Sequence, residues 1–212
     1  MNNRIVICSG GQLGEWALPY LKVGDLFIGA DSGARFLVEH GIRPDIAIGD
    51  FDSVTPEQLG RIRESSGRTI ECDPIDKNFT DTEMAFRLAL DLKPASILLL
   101  GALGTRFDHS LANVHLLALA DANGIQATIV DETNRITAIS KDSMIERHDH
   151  PQVSLLPLTS AVTGITLDGF QYPLHDATLQ IGQSLGISNV LLGNTGTIRV
   201  KEGRLLVIQS RD

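Results

Sequence analysis

Positive charge is scarce in this chain. Across 212 residues, 18 lysines and arginines face 26 aspartates and glutamates, a formal charge of -8. A general nucleic-acid binder needs a basic footprint, and this balance argues against one. An excess of acid suits a divalent metal or a cationic ligand instead. Long apolar runs are also missing. The longest, around Ile97 to Leu103, falls short of the ~20 residues that span a bilayer. The opening MNNRIVICSGG holds too short an apolar stretch for a signal peptide. There are only two cysteines, Cys8 and Cys72, and they match no metal spacing. Cys8 sits in an apolar run and reads as core. Cys72 reads as structural, because nothing near it in sequence would lower its pKa. Two unpatterned cysteines suit a reducing compartment, so a cytoplasmic protein is expected. No GxxxxGK[ST] loop is present, which excludes a P-loop enzyme, and the kinase GxGxxG and HRD signatures are absent. There is no internal repeat and no low-complexity segment.

Apolar content of 42% and charged content of 21% describe a folded globular protein. Strands and helices alternate along the first two thirds. Arg4 to Cys8, Leu26 to Ala30, Ile46 to Ile48, Ile97 to Leu100 and Gln126 to Val130 read as strands. Ala34 to His40 reads as a helix stopped by Gly41. Thr55-Pro56-Glu57-Gln58 opens a second helix as a capping box with proline at its first position. Thr80-Asp81-Thr82-Glu83 repeats the capping pattern, with Met84, Leu88 and Leu92 as an apolar stripe. Asp108 opens a helix carrying Leu111, Val114, Leu117, Leu119 and Ala122, closed by Gly124. This alternation predicts an α/β domain over residues 1–140, a mostly parallel, Rossmann-like sheet with helices on both faces in three layers. Such sheets bind ligands beyond the carboxyl ends of their strands. After about Lys141 the texture changes. Val153 to Leu156, Val162 to Leu167, Thr197 to Val200 and Leu205 to Gln209 are short and strand-like, with Gly and Asn turns between them. An all-β domain over residues 141–212 is expected.

The stretch IAIGDFDS, residues 46–53, sets two aspartates beyond an apolar strand. If the chain stays extended, Asp50 and Asp52 face one way and Phe51 the other. At about 5 Å and an effective dielectric of about 20, the two charges repel by roughly 3 kcal/mol. A cation between them reverses the sign. Three other acidic stretches stand at predicted strand or helix ends: GADSGA (29–34), TDTE (80–83) and GTRFDH (104–109). Each has an ordinary structural explanation. Asp31, Thr80 or Asp81, and Asp108 could cap the helices that follow them, and Arg106 could be a surface charge. Together, four clusters of one sign call for a cation. Mg²⁺ takes carboxylates, waters and substrate phosphates. Lys77 and Arg106 supply the positive charge that phosphoryl groups need. The pattern therefore points to Mg²⁺-dependent phosphate chemistry. Among the histidines, His109 follows Asp108 and is a candidate substrate contact. His40, His115, His148, His150 and His175 lack metal spacing, and His148 and His150 read as a solvated turn.

The ordered set GADSGA, PDIAIGDFDS, DKNFTDTEMA, GALGTRFDHSLAN and GISN resembles the bacterial thiamine pyrophosphokinases, from about Ile5 to Gln209. The resemblance implies transfer of the pyrophosphoryl group of ATP to thiamine, with release of AMP. It also implies a C-terminal β-sandwich and a homodimer whose thiamine pocket lies between subunits. By position, Asp31, Asp50, Asp52 and Asp81 match the acidic Mg²⁺–ATP positions, with Thr80 beside them. Arg106, Asp108 and His109 match the nucleotide and phosphate loop, and Lys77 a basic position of the bacterial members. Ser188 and Asn189 match the SN of the thiamine-binding loop, whereas Gly186 stands where some relatives have serine. Asp108 could orient Arg106 or accept the proton of the thiamine alcohol. Tyr172 could stack on the thiamine pyrimidine or simply fill a core or turn position, and Trp16 reads as packing. Two rival readings are an aspartate-nucleophile phosphatase, suggested by the D-x-D of GDFDS, and a thiamine- or nucleotide-binding sensor without turnover. The first fits poorly, because its motif normally follows the first strand.

Overall fold

A computed structural model describes residues 4–72 and 78–212. The chain divides into two compact units. One comprises residues up to 116 together with 123–132, the other residues 117–122 with 133–212.

The first unit is built on six strands: β1 (Ile5–Cys8), β2 (Leu26–Ala30), β3 (Ile46–Gly49), β4 (Arg68–Glu71), β5 (Ser96–Leu100) and β6 (Gln126–Val130). They pair in the order β6-β5-β1-β2-β3-β4, and each of these pairings is parallel. The chain runs outward from β1 to β4, then crosses back to β5 on the other side of β1. The order therefore reverses beside β1, the place where such sheets open a crevice. Every residue of β1 is buried, and so are Ile97 to Leu100 of β5. That explains why both strands read as continuous apolar runs rather than alternating ones.

Four helices follow the strands: α1 (Ser32–Glu39), α2 (Pro56–Ser65), α3 (Asp81–Asp91) and α4 (Phe107–Ala122). The Thr55 capping box is complete, with Thr55 and Gln58 each accepting from the other's amide. At α3 only half of the pattern forms. Thr80 accepts from the Glu83 amide, while the Glu83 carboxylate turns to Arg87 at 2.9 Å. The stripe expected on α3 is not the buried one. Ala85, Phe86 and Ala89 are buried, whereas Leu92 stands 47% exposed. Phe86 fills the inner face between Ala85 and Ala89, and Met84 and Leu88 are left half-buried on the flank. On α4, Asn113, Leu116, Leu117 and Ala120 are buried, and Leu111 is exposed. Cys8 lies in the core as expected, and burial pushes its thiol up to about 12, which makes it chemically inert. Trp16 packs against the same core cluster.

The second unit contains two antiparallel groups of strands. In one, β14 (Leu205–Ser210) pairs with β7 (Asn134–Ile139) and β9 (Gln152–Pro157), and β9 with β12 (Asn189–Val190). In the other, β10 (Ala161–Asp168) pairs with β11 (Ala177–Gln180) and β13 (Thr195–Arg199), and β13 with β8 (Ser143–Glu146). Alternate residues of β9 and β14, Val153, Leu155, Leu205 and Val207, share one buried cluster with Val162, Ile165, Leu167 and Ile198 of the other group. An α/β unit and a unit of antiparallel strands that also takes the last turns of α4 are thus both present. His150 is buried rather than solvated. Bonds from the Arg147 amide to Asn194 O and from Gln209 Nε2 to Glu146 O hold its flanking segment down.

Near the start of β2, Arg4 Nε donates to Asp25 Oδ1 at 2.9 Å. Burial alone would raise the Asp25 pKa, but the Arg4 hydrogen bond, the Lys22 amide and the Arg4 charge outweigh it and hold the carboxyl below its usual value. A group with a depressed folded pKa adds stability above its unfolded pKa of about 3.9, and that stability is lost as pH falls through the folded value. Asp25→Asn should therefore flatten the acid limb of a denaturation-midpoint curve below about pH 4. An unchanged limb would remove the pair from the acid response.

Candidate active site

The site is assembled where β1, β2, β3 and β5 end. β3 closes on Gly49, whose φ of +151° few side chains tolerate. A Cβ there would lie 3.3 Å from the Asp31 amide nitrogen, so the β3 and β2 ends come into close contact. Beyond Gly49 the chain does not stay extended. Phe51 adopts φ +56°, and the Asp52 amide donates to Asp50 Oδ1 at 3.2 Å. The two carboxylates are gathered by a left-handed turn, not by strand alternation. Phe51 is buried against Ala34, Ala47 and Ile62. Burying its ring contributes about 1.5–3 kcal/mol, which offsets the roughly 1–2 kcal/mol of a left-handed non-glycine residue.

Asp31 also has a positive φ, +52°, but with ψ -122° it lies outside the left-handed helical region. It sits at the N-cap of α1, yet its side chain makes no capping bond. Its amide donates to Ile48 O at 2.9 Å, and Ser53 Oγ donates to its Oδ2 at 2.6 Å. Its Oδ1 is buried and has no hydrogen-bond partner among the described residues. Asp31, Asp50 and Asp52 can each offer one carboxylate oxygen, all within 4.8 Å of one another. At that spacing and an effective dielectric of about 20, each pair repels by roughly 3 kcal/mol before solvent screening. A buried carboxylate oxygen left unsatisfied amid like charges is costly. An all-oxygen donor set of this kind fits a hard cation such as Mg²⁺.

Two of these carboxylates, Asp31 and Asp52, border a cleft of about 720 Å³. Gly10 and Gly11 line it beyond β1, Asp31 beyond β2, Asp52 beyond β3, and residues 101–106 beyond β5. Thr80, Asp81 and Thr82 line it from the head of α3, and His109 and Asn113 from α4. Asp81 is the first residue of α3 while Thr80 is its cap. Asp81 borders the cleft but falls outside the three-carboxylate group. Arg106 lines the cleft, and its Nη2 donates to Asp108 Oδ2 at 2.7 Å. Arg106 holds the Asp108 carboxyl below the usual carboxylate range, and Asp108 in turn raises the guanidinium. Asp108 is the second residue of α4, not its cap. Lys77 lies outside the described residues.

Ser188 and Asn189 belong to the second unit. Ser188 is left-handed at φ +57°, and its amide donates to Ser154 Oγ at 3.0 Å. Asn189 is buried. Its Nδ2 donates to Tyr172 O at 2.7 Å, and its Oδ1 accepts from the amides of Tyr172 and Val190. Its amide is thus committed to backbone, and what it presents is Tyr172, 59% exposed. At Gly186 a Cβ would lie 2.6 Å from Leu155 O, so a serine does not fit this backbone. Sequence reading also missed Ser9, Ser53 and Asn113. Ser53 closes the GDFDS stretch and Asn113 the GALGTRFDHSLAN stretch, but hydroxyls and amides carry no signal of their own.

The family described as thiamin pyrophosphokinase, catalytic domain, matches residues 18–129, and thiamin pyrophosphokinase, vitamin B1 binding domain, matches residues 142–205. The chain is 34% identical to the thiamine pyrophosphokinase of Bacillus subtilis over 91% of each protein. It is similar to the crystal structure of thiamine pyrophosphokinase from Bacillus subtilis, with a TM-score of 0.91 at 32% identity, covering 99% of this chain and 100% of that one. The thiamin pyrophosphokinase structure from Geobacillus thermodenitrificans gives a TM-score of 0.88 at 33% identity, covering 99% and 98%.

Proposed function

This chain belongs to the thiamine pyrophosphokinase family, and we propose that the cleft at its strand ends is where it transfers the pyrophosphoryl group of ATP to the hydroxyl of thiamine, giving thiamine diphosphate and AMP. The observation that carries the site assignment is the trio Asp31, Asp50 and Asp52 with the unpartnered, buried Asp31 Oδ1. These three, with Asp81 beside them, would hold Mg²⁺. When bound, Mg²⁺ supplies positive charge that offsets the charge on the phosphate oxygens.

The remaining work falls to the chain's own side chains. The acidic cleft attracts the fixed positive charge of the thiazolium. The alcohol oxygen bonds to the β-phosphorus and its proton passes to solvent, as the bond from that phosphorus to the α-phosphate oxygen breaks and AMP leaves, so positioning dominates. Arg106 donates to phosphate oxygens, assisted by Lys77, and Thr80 and His109 border the nucleotide. A general base works best with a pKa near the operating pH. Asp108 is held in the opposite direction by Arg106. Its two hydrogen bonds from Arg106 give it the role of orienting the guanidinium. Asn189 acts on thiamine through Tyr172, whose ring is free to stack on the pyrimidine, while Ser188 shapes the same loop. We read the parallel sheet as a three-layer Rossmann-like domain and the two antiparallel groups as a β-sandwich. The assembly is a cytoplasmic homodimer with thiamine bound at the subunit interface.

The phosphatase reading is not favoured, because Asp50 follows the third strand of the chain. One incubation with thiamine, ATP and Mg²⁺ tests the proposal. Thiamine diphosphate and AMP should form in equal amounts, and EDTA should abolish both. ADP with thiamine monophosphate would overturn the pyrophosphoryl step. Phosphate release without thiamine would restore the phosphatase, and thiamine binding without turnover the sensor.

A further inference from the structure

Ser9 is the first residue beyond β1, and its amide donates to Leu100 O at 2.8 Å, which anchors it where the strand order reverses. It is only 2% exposed, yet it lines the cleft. Its hydroxyl is hydrogen-bonded to the Thr82 hydroxyl, 73 residues further along the chain. Thr82 lies in the first turn of α3 and lines the same cleft.

A count of protons gives the pair its meaning. Each hydroxyl carries one O–H donor and two acceptor lone pairs. Two hydroxyls bonded to each other use one of their two protons. The second proton has no acceptor among the described residues, because neither hydroxyl makes another hydrogen bond there. Ser9 is buried and Thr82 half-buried at the cleft wall, so the spare proton is available to an acceptor that enters the cleft. Asp31, Asp52 and Asp81 line the same cleft, and so does Arg106. The ligand group that suits an uncommitted O–H beside the glycines of residues 10–11 and the carboxylate trio is an acceptor-only oxygen.

We propose that the Ser9–Thr82 hydroxyl pair is a substrate-binding element that donates its spare proton to a phosphate oxygen of ATP. The assignment rests on the cleft being the ATP site. It also ties the head of α3, which carries Thr80 and Asp81, to the end of β1, so that one contact registers both the acidic residues and the nucleotide.

Donor counting makes an unusual prediction for substitutions. Ser9→Ala leaves Thr82 with its own proton, and Thr82→Val leaves Ser9 with its own. Either single variant still has one donor for the ligand. Only the double variant has none. A hydrogen bond to a charged group is worth about tenfold to a hundredfold in affinity. The singles should therefore raise the KM for ATP less than about tenfold, and the double variant by more than the product of the singles. The KM for thiamine should stay where it is, and Thr82→Ser should behave as wild type.

Calorimetric binding of ATP and of adenosine to the wild type, the two single variants and the double variant completes the test and does not require turnover. Weaker ATP binding in the double variant with unchanged adenosine binding is the expected result. Equal loss for both ligands would move the contact to the sugar or base and overturn the phosphate assignment. A fall in Tm with unchanged ATP affinity would reduce the pair to a structural clamp and overturn the proposal. A wild-type protein that binds ATP but makes no thiamine diphosphate would instead defeat the proposed reaction, leaving the binding comparison intact.

Discussion

Asp31→Asn should give a protein that is more stable and far less active. The two effects share one cause. Asp31 carries a buried oxygen that no described residue satisfies, and it faces two more carboxylates within 4.8 Å. Asparagine keeps the shape and keeps an acceptor for the Ser53 hydroxyl. Removing one of three like charges relieves repulsion that is roughly 3 kcal/mol per pair unscreened and about 1 kcal/mol after solvent screening. For a chain of this length, 1 kcal/mol moves Tm by about 2–4 °C, so an upward shift of a few degrees in EDTA is expected. Activity should move the other way. Weakening even the outer supports of a metal site costs about tenfold to a hundredfold, and a direct ligand should cost at least a hundredfold in kcat/KM, by the same reasoning. Mg²⁺ should raise the Tm of the wild type and leave the variant nearly unmoved. Full activity with a lowered Tm would mean that Asp31 is an ordinary structural carboxylate.

That coupling bears on what could be read without coordinates. IAIGDFDS was legible as a buried strand ending in two carboxylates over a cleft. Its geometry was not. A phenylalanine in the left-handed region is locally unfavourable, and only the burial of its ring between Ala34 and Ile62 holds Phe51 there. β4 escaped notice because an edge strand reading RTIE has charged, exposed ends and only two half-buried residues between them. On α3, Met84 and Leu88 looked like the core face, but Phe86 takes it with Ala85 and Ala89, and the two longer side chains are left half-buried. Asn189 is the reverse case. Its place in GISN singled it out as a thiamine-binding candidate, but nothing local tells that its amide is spent on the backbone of Tyr172, 17 positions earlier. Residue types were readable from the sequence; the partners that occupy them come from tertiary contacts.

Gly33→Ala tests how tightly the site depends on such contacts. Gly33 lies in the first turn of α1, two residues after Asp31. Helix propensity argues that alanine should stabilise this position by roughly 0.5–1 kcal/mol. Packing argues the opposite. A Cβ on Gly33 would lie 2.0 Å from the Cys8 carbonyl oxygen and 2.9 Å from the Ser9 nitrogen. Those are backbone atoms at the end of a fully buried strand, so no rotamer can relieve the clash. Overpacking of this kind costs about 1–3 kcal/mol, and a backbone collision belongs at the upper end. The packing penalty is larger than the propensity gain, and Tm should fall by about 4–10 °C. Gly60 gives the matching control. It lies within α2, and a Cβ there meets nothing within 4 Å. Gly60→Ala should therefore stabilise by up to about 1 kcal/mol, as propensity alone requires. Opposite signs for the same substitution in two helices would show that the approach of α1 to the β1 end is fixed by contact. Because Asp31 and Ser9 flank that contact, Gly33→Ala should also weaken ATP binding, whereas Gly60→Ala should leave it unchanged. Equal stabilisation by both would mean that α1 can shift to accept a methyl group, and the position of Asp31 would then owe nothing to this glycine.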